Sequence, residues 1–282
     1  MTDLDPTAAH LHHLLLVDDV VTTDDVDSLV RSHYPQAWWP APDTVVLEPG
    51  VELTGPWTVG PELRRRLDAP AWAERAWLTV CPQERGTEVP EALRGLDALM
   101  DAYPFAAPEG VELRTLMFLR AAARRIAGAI HLAGTAVVLE PDPESAVDVS
   151  VYAPTYAEPD QVRRAIGRDD ATLAGRTRRS WQLVMPAEPL GPGSLTVTSE
   201  RHPVPPLALA GLPWAIPGTR GYEVRWHAPE DFLRGPLSLA QRRARTRVTE
   251  EVERIAGAVA ALTDGVGVDD DGFLVALPAG TD

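Results

Sequence analysis

Arg254-Ile-Ala-Gly-Ala-Val259 is a near copy of Arg125-Ile-Ala-Gly-Ala-Ile130, offset by 129 residues. Working outward from this pair decides how the rest of the chain is read. Each copy is followed by a short apolar strand signal, Val137-Val-Leu139 and Val266-Gly-Val268. Upstream, Leu14-Leu-Leu-Val17 matches Val149-Ser-Val151 as an opening strand, and Asp25 to Arg31 matches Gln161 to Gly167 as the helix after it. Asp43 to Glu48 matches Arg179 to Val184 as a further strand, and Ala76 to Pro82 matches Glu223 to Pro229 as a strand closed by proline. A common order of elements over a long period is the signature of tandem duplication.

Each half then reads as strand, helix, strands, long helix, strand. The expected fold class is α+β: two duplicated ferredoxin-like halves of βαββαβ type with antiparallel sheets. The halves are expected at 1–143 and 144–282, divided in the acidic, proline-rich stretch Pro141 to Ala146. The long helices carry buried stripes at spacings of three and four: Leu116, Leu119, Ala123, Ile126, Ile130 and Ala133 in one, and Leu237, Gln241, Ala244, Val248, Val252, Ile255, Val259 and Leu262 in the other. Asp269-Asp-Asp-Gly272 between two apolar runs reads as a hairpin turn. An antiparallel sheet with helices on one face has a bare second face, so the halves are expected to pack as a pseudo-dimer.

Composition closes several chemistries. Of 282 residues, 26 are basic and 41 acidic, for a net charge of −15, and every basic residue is Arg because Lys and Asn are absent. Without Lys there is no P-loop lysine, kinase strand lysine or Schiff base to pyridoxal phosphate. One cysteine, Cys81, rules out an intrachain disulfide and any multi-cysteine metal site. The Ala, Arg, Pro and Gly bias fits a GC-rich bacterial genome. Met1 to Asp5 lacks the basic start of a signal peptide, and the apolar run Ala127 to Leu139 is too short to span a bilayer, so a cytoplasmic protein is expected. The acidic charge argues against nucleic acid as a partner, and no membrane partner is expected.

Candidate sites are few. His10-Leu-His12-His13 reads as the start of the first strand, with His10 and His12 on one face, where two imidazoles with Asp18 and Asp19 could hold a metal. Asp24, Asp25 and Asp27 after Thr22 read instead as a capped helix start. Trp38-Trp39-Pro40 and Pro213-Trp214 stand in proline-rich loops. Within Pro203–Pro217, Trp214 is expected to stay partly exposed and to border a cleft, with Arg220 and Arg225 nearby to hold an anionic or carbonyl-bearing ligand. Arginine clusters at Arg64 to Arg66, Arg176 to Arg179 and Arg242 to Arg247 read as solvated faces, and a functional patch among them would suit carboxylate or phosphate groups or an acidic protein surface. Gly-x-Ser-x-Gly, G-x-G-x-x-G and H-E-x-x-H are absent, and Cys81 before Pro82 reads as a structural thiol. The reading favours a non-catalytic, intracellular binding or regulatory protein without a cofactor, its ligand a protein or small molecule. The alternative is a metal-dependent hydrolase built on the N-terminal histidines.

Overall fold

A computed structural model describes residues 2–215, 218–232 and 237–278. The chain is mixed α+β and divides into two compact units, Met1–Ser145 and Ala146–Asp282. Unit one runs α1 (Pro6–Leu11), β1 (His13–Val17), α2 (Thr23–His33), β2 (Trp38–Ala41), β3 (Thr44–Glu48), β4 (Val51–Thr58), α3 (Pro61–Leu67), β5 (Arg75–Val80), α4 (Ala98–Asp101), α5 (Gly110–Arg125), β6 (Ala129–His131) and β7 (Val138–Leu139). Unit two runs β8 (Val149–Ala153), α6 (Pro159–Ile166), β9 (Thr172–Arg176), β10 (Trp181–Pro186), β11 (Ser194–His202), β12 (Thr219–His227), α7 (Leu239–Thr263), β13 (Val266–Asp269) and β14 (Leu274–Val275).

Each unit holds one seven-stranded sheet, ordered β2-β3-β4-β5-β1-β6-β7 and β9-β10-β11-β12-β8-β13-β14. Neighbouring strands are antiparallel throughout. Seven strands replace the four of a bare βαββαβ unit. In unit two four strands in a row follow α6, in unit one three follow α2 and a fourth comes after α3, and each unit adds a last strand beyond the one that follows its long helix.

Local chemistry explains the helix limits. Thr22 and Asp25 form a reciprocal capping box at the start of α2, and Ser238 and Gln241 form another at α7. Along α7 the residues Ala244, Val248, Val252, Ile255 and Val259 are buried against β8, β12 and their neighbours, whereas Leu262 at the end of the expected stripe is exposed. Asp264 ends the helix in the left-handed region at φ 54°. Glu251 on this helix pairs with Arg168 and Arg254, and Arg247 donates to the Leu190 carbonyl.

The repeated hexapeptide serves two different purposes. Helix α5 stops at Arg125, Ile126 is its half-buried C-cap, and Ile130 lies in β6. Ile255, its sequence counterpart, is fully buried in mid-helix. A Cβ on Gly128 would lie 2.7 Å from the Leu16 carbonyl oxygen of β1, and one on Gly257 would lie 2.4 Å from the Pro278 carbonyl oxygen. Both glycines admit a close backbone approach, one at a helix exit and one within a helix.

Two further expectations are corrected. The second face of the first sheet is not bare: Leu14, Leu16, Ala76 and Leu78 pack there against Ala9 of α1 and Leu63 and Leu67 of α3. The stacking of two bare faces therefore has no basis in this unit. Trp38-Trp39-Pro40 forms edge strand β2 rather than a loop, which proline tolerates because an edge strand has one unpaired side. No helix among the described residues is long and apolar enough to cross a membrane.

Candidate functional site

The strongest concentration of buried polar chemistry lies in unit one, where β1, β5 and α5 meet. His13 opens β1 opposite Thr79 of β5, and its ring is buried. Its Nδ1 accepts from the Ala133 N–H at 3.0 Å, so Nε2 bears the proton and donates to Glu112 Oε1 at 3.0 Å. Glu112, in the first turn of α5, is 0% exposed. The same Oε1 accepts from Arg85 Nη2 at 2.6 Å, while Oε2 has no partner among the described residues.

Arg85 is placed by backbone pairing. Residues 84–87 run antiparallel to 107–109, through Gly86 N–H to the Ala107 carbonyl at 2.8 Å and Glu109 N–H to the Glu84 carbonyl at 2.9 Å. The Glu84 carboxylate accepts from Val111 N–H at 2.7 Å, closing the start of α5 from outside the helix. The Arg85 guanidinium lies 3.6 Å over the Tyr103 ring, and the Tyr103 hydroxyl donates to the Ala133 carbonyl at 2.9 Å. Arg85 and Ala133 are thus both tied, directly or through His13, to one buried carboxylate. Between them opens a cleft of about 360 Å³, lined by Gln83, Arg85, residues 102–106 and residues 133–135. Phe105 stands at its rim, 79% exposed.

Neighbouring groups respond to this burial. Burial, and then the nearby charge of Glu112, push the Cys81 thiol up to about 11. Burial raises Tyr103, and Arg85 opposes that rise. Tyr34 is pushed up to about 12, by burial first and the Glu48 carboxylate second. On the opposite face of β6–β1, His131 is 1% exposed, and neither ring nitrogen has a partner among the described residues. Burial, helped by His10 and His13, pushes it down to about 4.

The histidine expectation needs correction. His10 is in the last turn of α1 and His12 is its C-cap, so they do not share a strand face; only His13 belongs to β1. Asp18 and Asp19 hydrogen-bond each other after β1, which lowers Asp18 and raises Asp19. Among the described residues no group of three or more His, Cys, Asp or Glu side chains converges in a metal-holding arrangement.

The aromatic and arginine candidates are dispersed. Trp38 is 53% exposed on β2. Trp39 points the other way, donating from Nε1 to Asp27 at 2.6 Å and meeting Trp77 edge-on, beside a groove of about 470 Å³ that includes Thr23, Asp24 and Arg31 of α2. Trp214 is partly exposed and packs with Leu209, Leu212 and Ala215 against Tyr152, Val266 and Val268. Ile216 and Pro217 lie outside the described residues. Arg220 and Arg225 are five apart on β12, which puts them on opposite faces. Arg220 lies 4.7 Å over Tyr156 and donates to the Arg179 carbonyl at 2.6 Å, while Arg225 pairs with Glu223 at 2.6 Å.

Sequence reasoning passed over Glu112, Arg85 and Tyr103. A signal for Glu112 was present, since it stands one turn before Leu116 and so occupies the apolar register of α5. Comparison with known proteins finds no matching family profile, no matching curated sequence and no matching solved structure.

Proposed function

We propose that the chain is an intracellular, non-catalytic binding protein, and that the cleft beside Arg85 takes a small ligand carrying a carboxylate and an aromatic or apolar group. One observation carries this reading: a guanidinium held in place by a buried carboxylate and a tyrosine ring, facing a cleft with an exposed phenylalanine at its rim. Arg85 uses one Nη2 hydrogen on Glu112, and its planar fork suits a second carboxylate. Pre-positioning lowers the entropy lost when a ligand is captured. Phe105 offers a stacking surface with few rotatable bonds.

The same proposal takes each unit as an elaborated ferredoxin-like half, related by duplication. Its support is the order β6-β1-β5-β4 and β13-β8-β12-β11 at the centre of the two sheets, each reached as strand, helix, strands, long helix, strand, with α1, α3 and α4 added in unit one alone.

The test is thermal-shift and calorimetric titration with a panel of aryl and alkyl carboxylates, beside the matching amides. Aryl carboxylates should raise the melting temperature and the amides should not. Phe105→Ala, an exposed change, should weaken binding several-fold, and Arg85→Gln should abolish it. Binding that survives both changes, or amides that bind as tightly as acids, would refute the reading.

A further inference from the structure

Each sheet has two edges, and the four edge strands are guarded unequally. β7 and β14 are two residues long, and β2 carries Pro40. Short strands and prolines are the ordinary means of keeping foreign strands away from an edge. β9 has neither. Its five residues, Thr172-Leu-Ala-Gly-Arg176, contain no proline, are all exposed, and pair on one side only, with β10. β9 and β2 hold the same rank in their sheets, so the topology does not impose this difference.

The end of β9 is also basic. The turn after it carries Arg178 and Arg179, whose guanidinium groups have no partner among the described residues, and both side chains are exposed. Arg176 and Arg220 stand beside them. Arg176 pairs with Glu158 at 2.9 Å, and Arg220 covers Tyr156, which is itself exposed. Four arginines against the carboxylate of Glu158 make a local cationic corner on a chain of net charge −15. Arginine at an edge repels a neighbouring copy of the same edge, and it attracts an extended segment of opposite charge.

The geometry points to β9 as a docking edge for an extended acidic peptide segment of a partner protein, which adds as an eighth strand and sets its carboxylates against Arg178, Arg179 and Arg220. The occupant pairs through its backbone, as in strand addition. The register shift opposite Gln182 and Leu183 interrupts the ladder, so pairing is short and the arginines supply much of the attraction.

A fluorescent, end-blocked ten-residue peptide of alternating Thr and Glu tests this on the full chain by anisotropy. Three controls accompany it: the same peptide N-methylated at alternate positions, a Thr–Gln version, and a single-stranded oligonucleotide of equal charge. The Thr–Glu peptide should bind at least tenfold more tightly than the N-methylated and Thr–Gln peptides, and R178E/R179E should reverse that preference for acid. Hydrogen exchange should show slowed amides in 172–176 when the peptide is added. Equal binding of the N-methylated peptide, equal binding of the oligonucleotide, unchanged exchange in β9, or no binding at all would each overturn the inference. The cleft beside Arg85 takes no part in this test, so the two outcomes are separate.

Discussion

Replacing His131 by Leu should stabilise the protein, increasingly so as the pH falls. The imidazole is buried, with Leu14 of β1 and Val138 of β7 as its register partners, and neither nitrogen has a partner among the described residues. An unsatisfied buried polar group costs about 1–3 kcal/mol, so His131→Leu should gain on the order of 1 kcal/mol at pH 7.5. The pH term is larger. In the unfolded chain this histidine titrates at its ordinary value of 6.5, and in the folded chain burial pushes it down to about 4. Between those values the unfolded state holds the extra proton, so wild-type stability falls as the pH drops from 6.5 to about 4 and this contribution is flat on either side. A gap of that size corresponds to about 3 kcal/mol. The leucine variant lacks this loss, and every other titrating group is common to both proteins. Urea unfolding by tryptophan fluorescence at several values from pH 7.5 to pH 4 should therefore give two curves that diverge by about 3 kcal/mol. Parallel curves would show that His131 finds a proton acceptor or water in the folded state, and the argument from its burial would fail.

Other expectations follow from the same structure. Ile255→Ala should cost about 2–5 kcal/mol in urea unfolding and Ile126→Ala about 1 or less, because only the first side chain is fully enclosed. Equal costs would restore the equivalence that the repeated hexapeptide suggests. Glu112→Gln should cost about 2–3 kcal/mol, since it keeps an acceptor for His13 but removes the charge that holds Arg85. A stability unchanged within about 0.5 kcal/mol would mean that the ion pair contributes nothing there.

The sequence made some elements plain and disguised others. Capping at Thr22, the apolar stripe of α7 and the turn at Asp269 to Gly272 are local signals, and local signals survive folding. The hexapeptide repeat misled because similarity of six residues does not fix their place in a helix. Thr263 ends α7 eight residues after Ile255, whereas α5 ends one residue before Ile126. His10 lies in a helix rather than a strand because Asp5-Pro6 is a helix start. The Asp5 carboxylate accepts from Thr7 and Ala8 N–H at 3.0 and 2.9 Å, with proline in the first turn. The site was hidden for a different reason. Arg85 reaches Glu112 only because residues 84–87 pair with 107–109, a contact that no spacing rule encodes. The aromatic residues drew attention by their number, yet Trp39 and Trp214 are largely committed to packing in their own units.

The environment of Cys81 has a practical consequence for anyone who needs to attach something to this molecule. With its thiol pushed up to about 11, only roughly three in ten thousand molecules carry the thiolate at pH 7.5, against about one in ten for an ordinary cysteine. The chain also has no ε-amino group to compete for electrophiles. A cysteine introduced at an exposed position such as Thr177 or Phe105 would therefore take a spin label or fluorophore in the wild-type background. The native thiol, itself only partly exposed just beyond β5, could stay where it is while distances or local motions are measured.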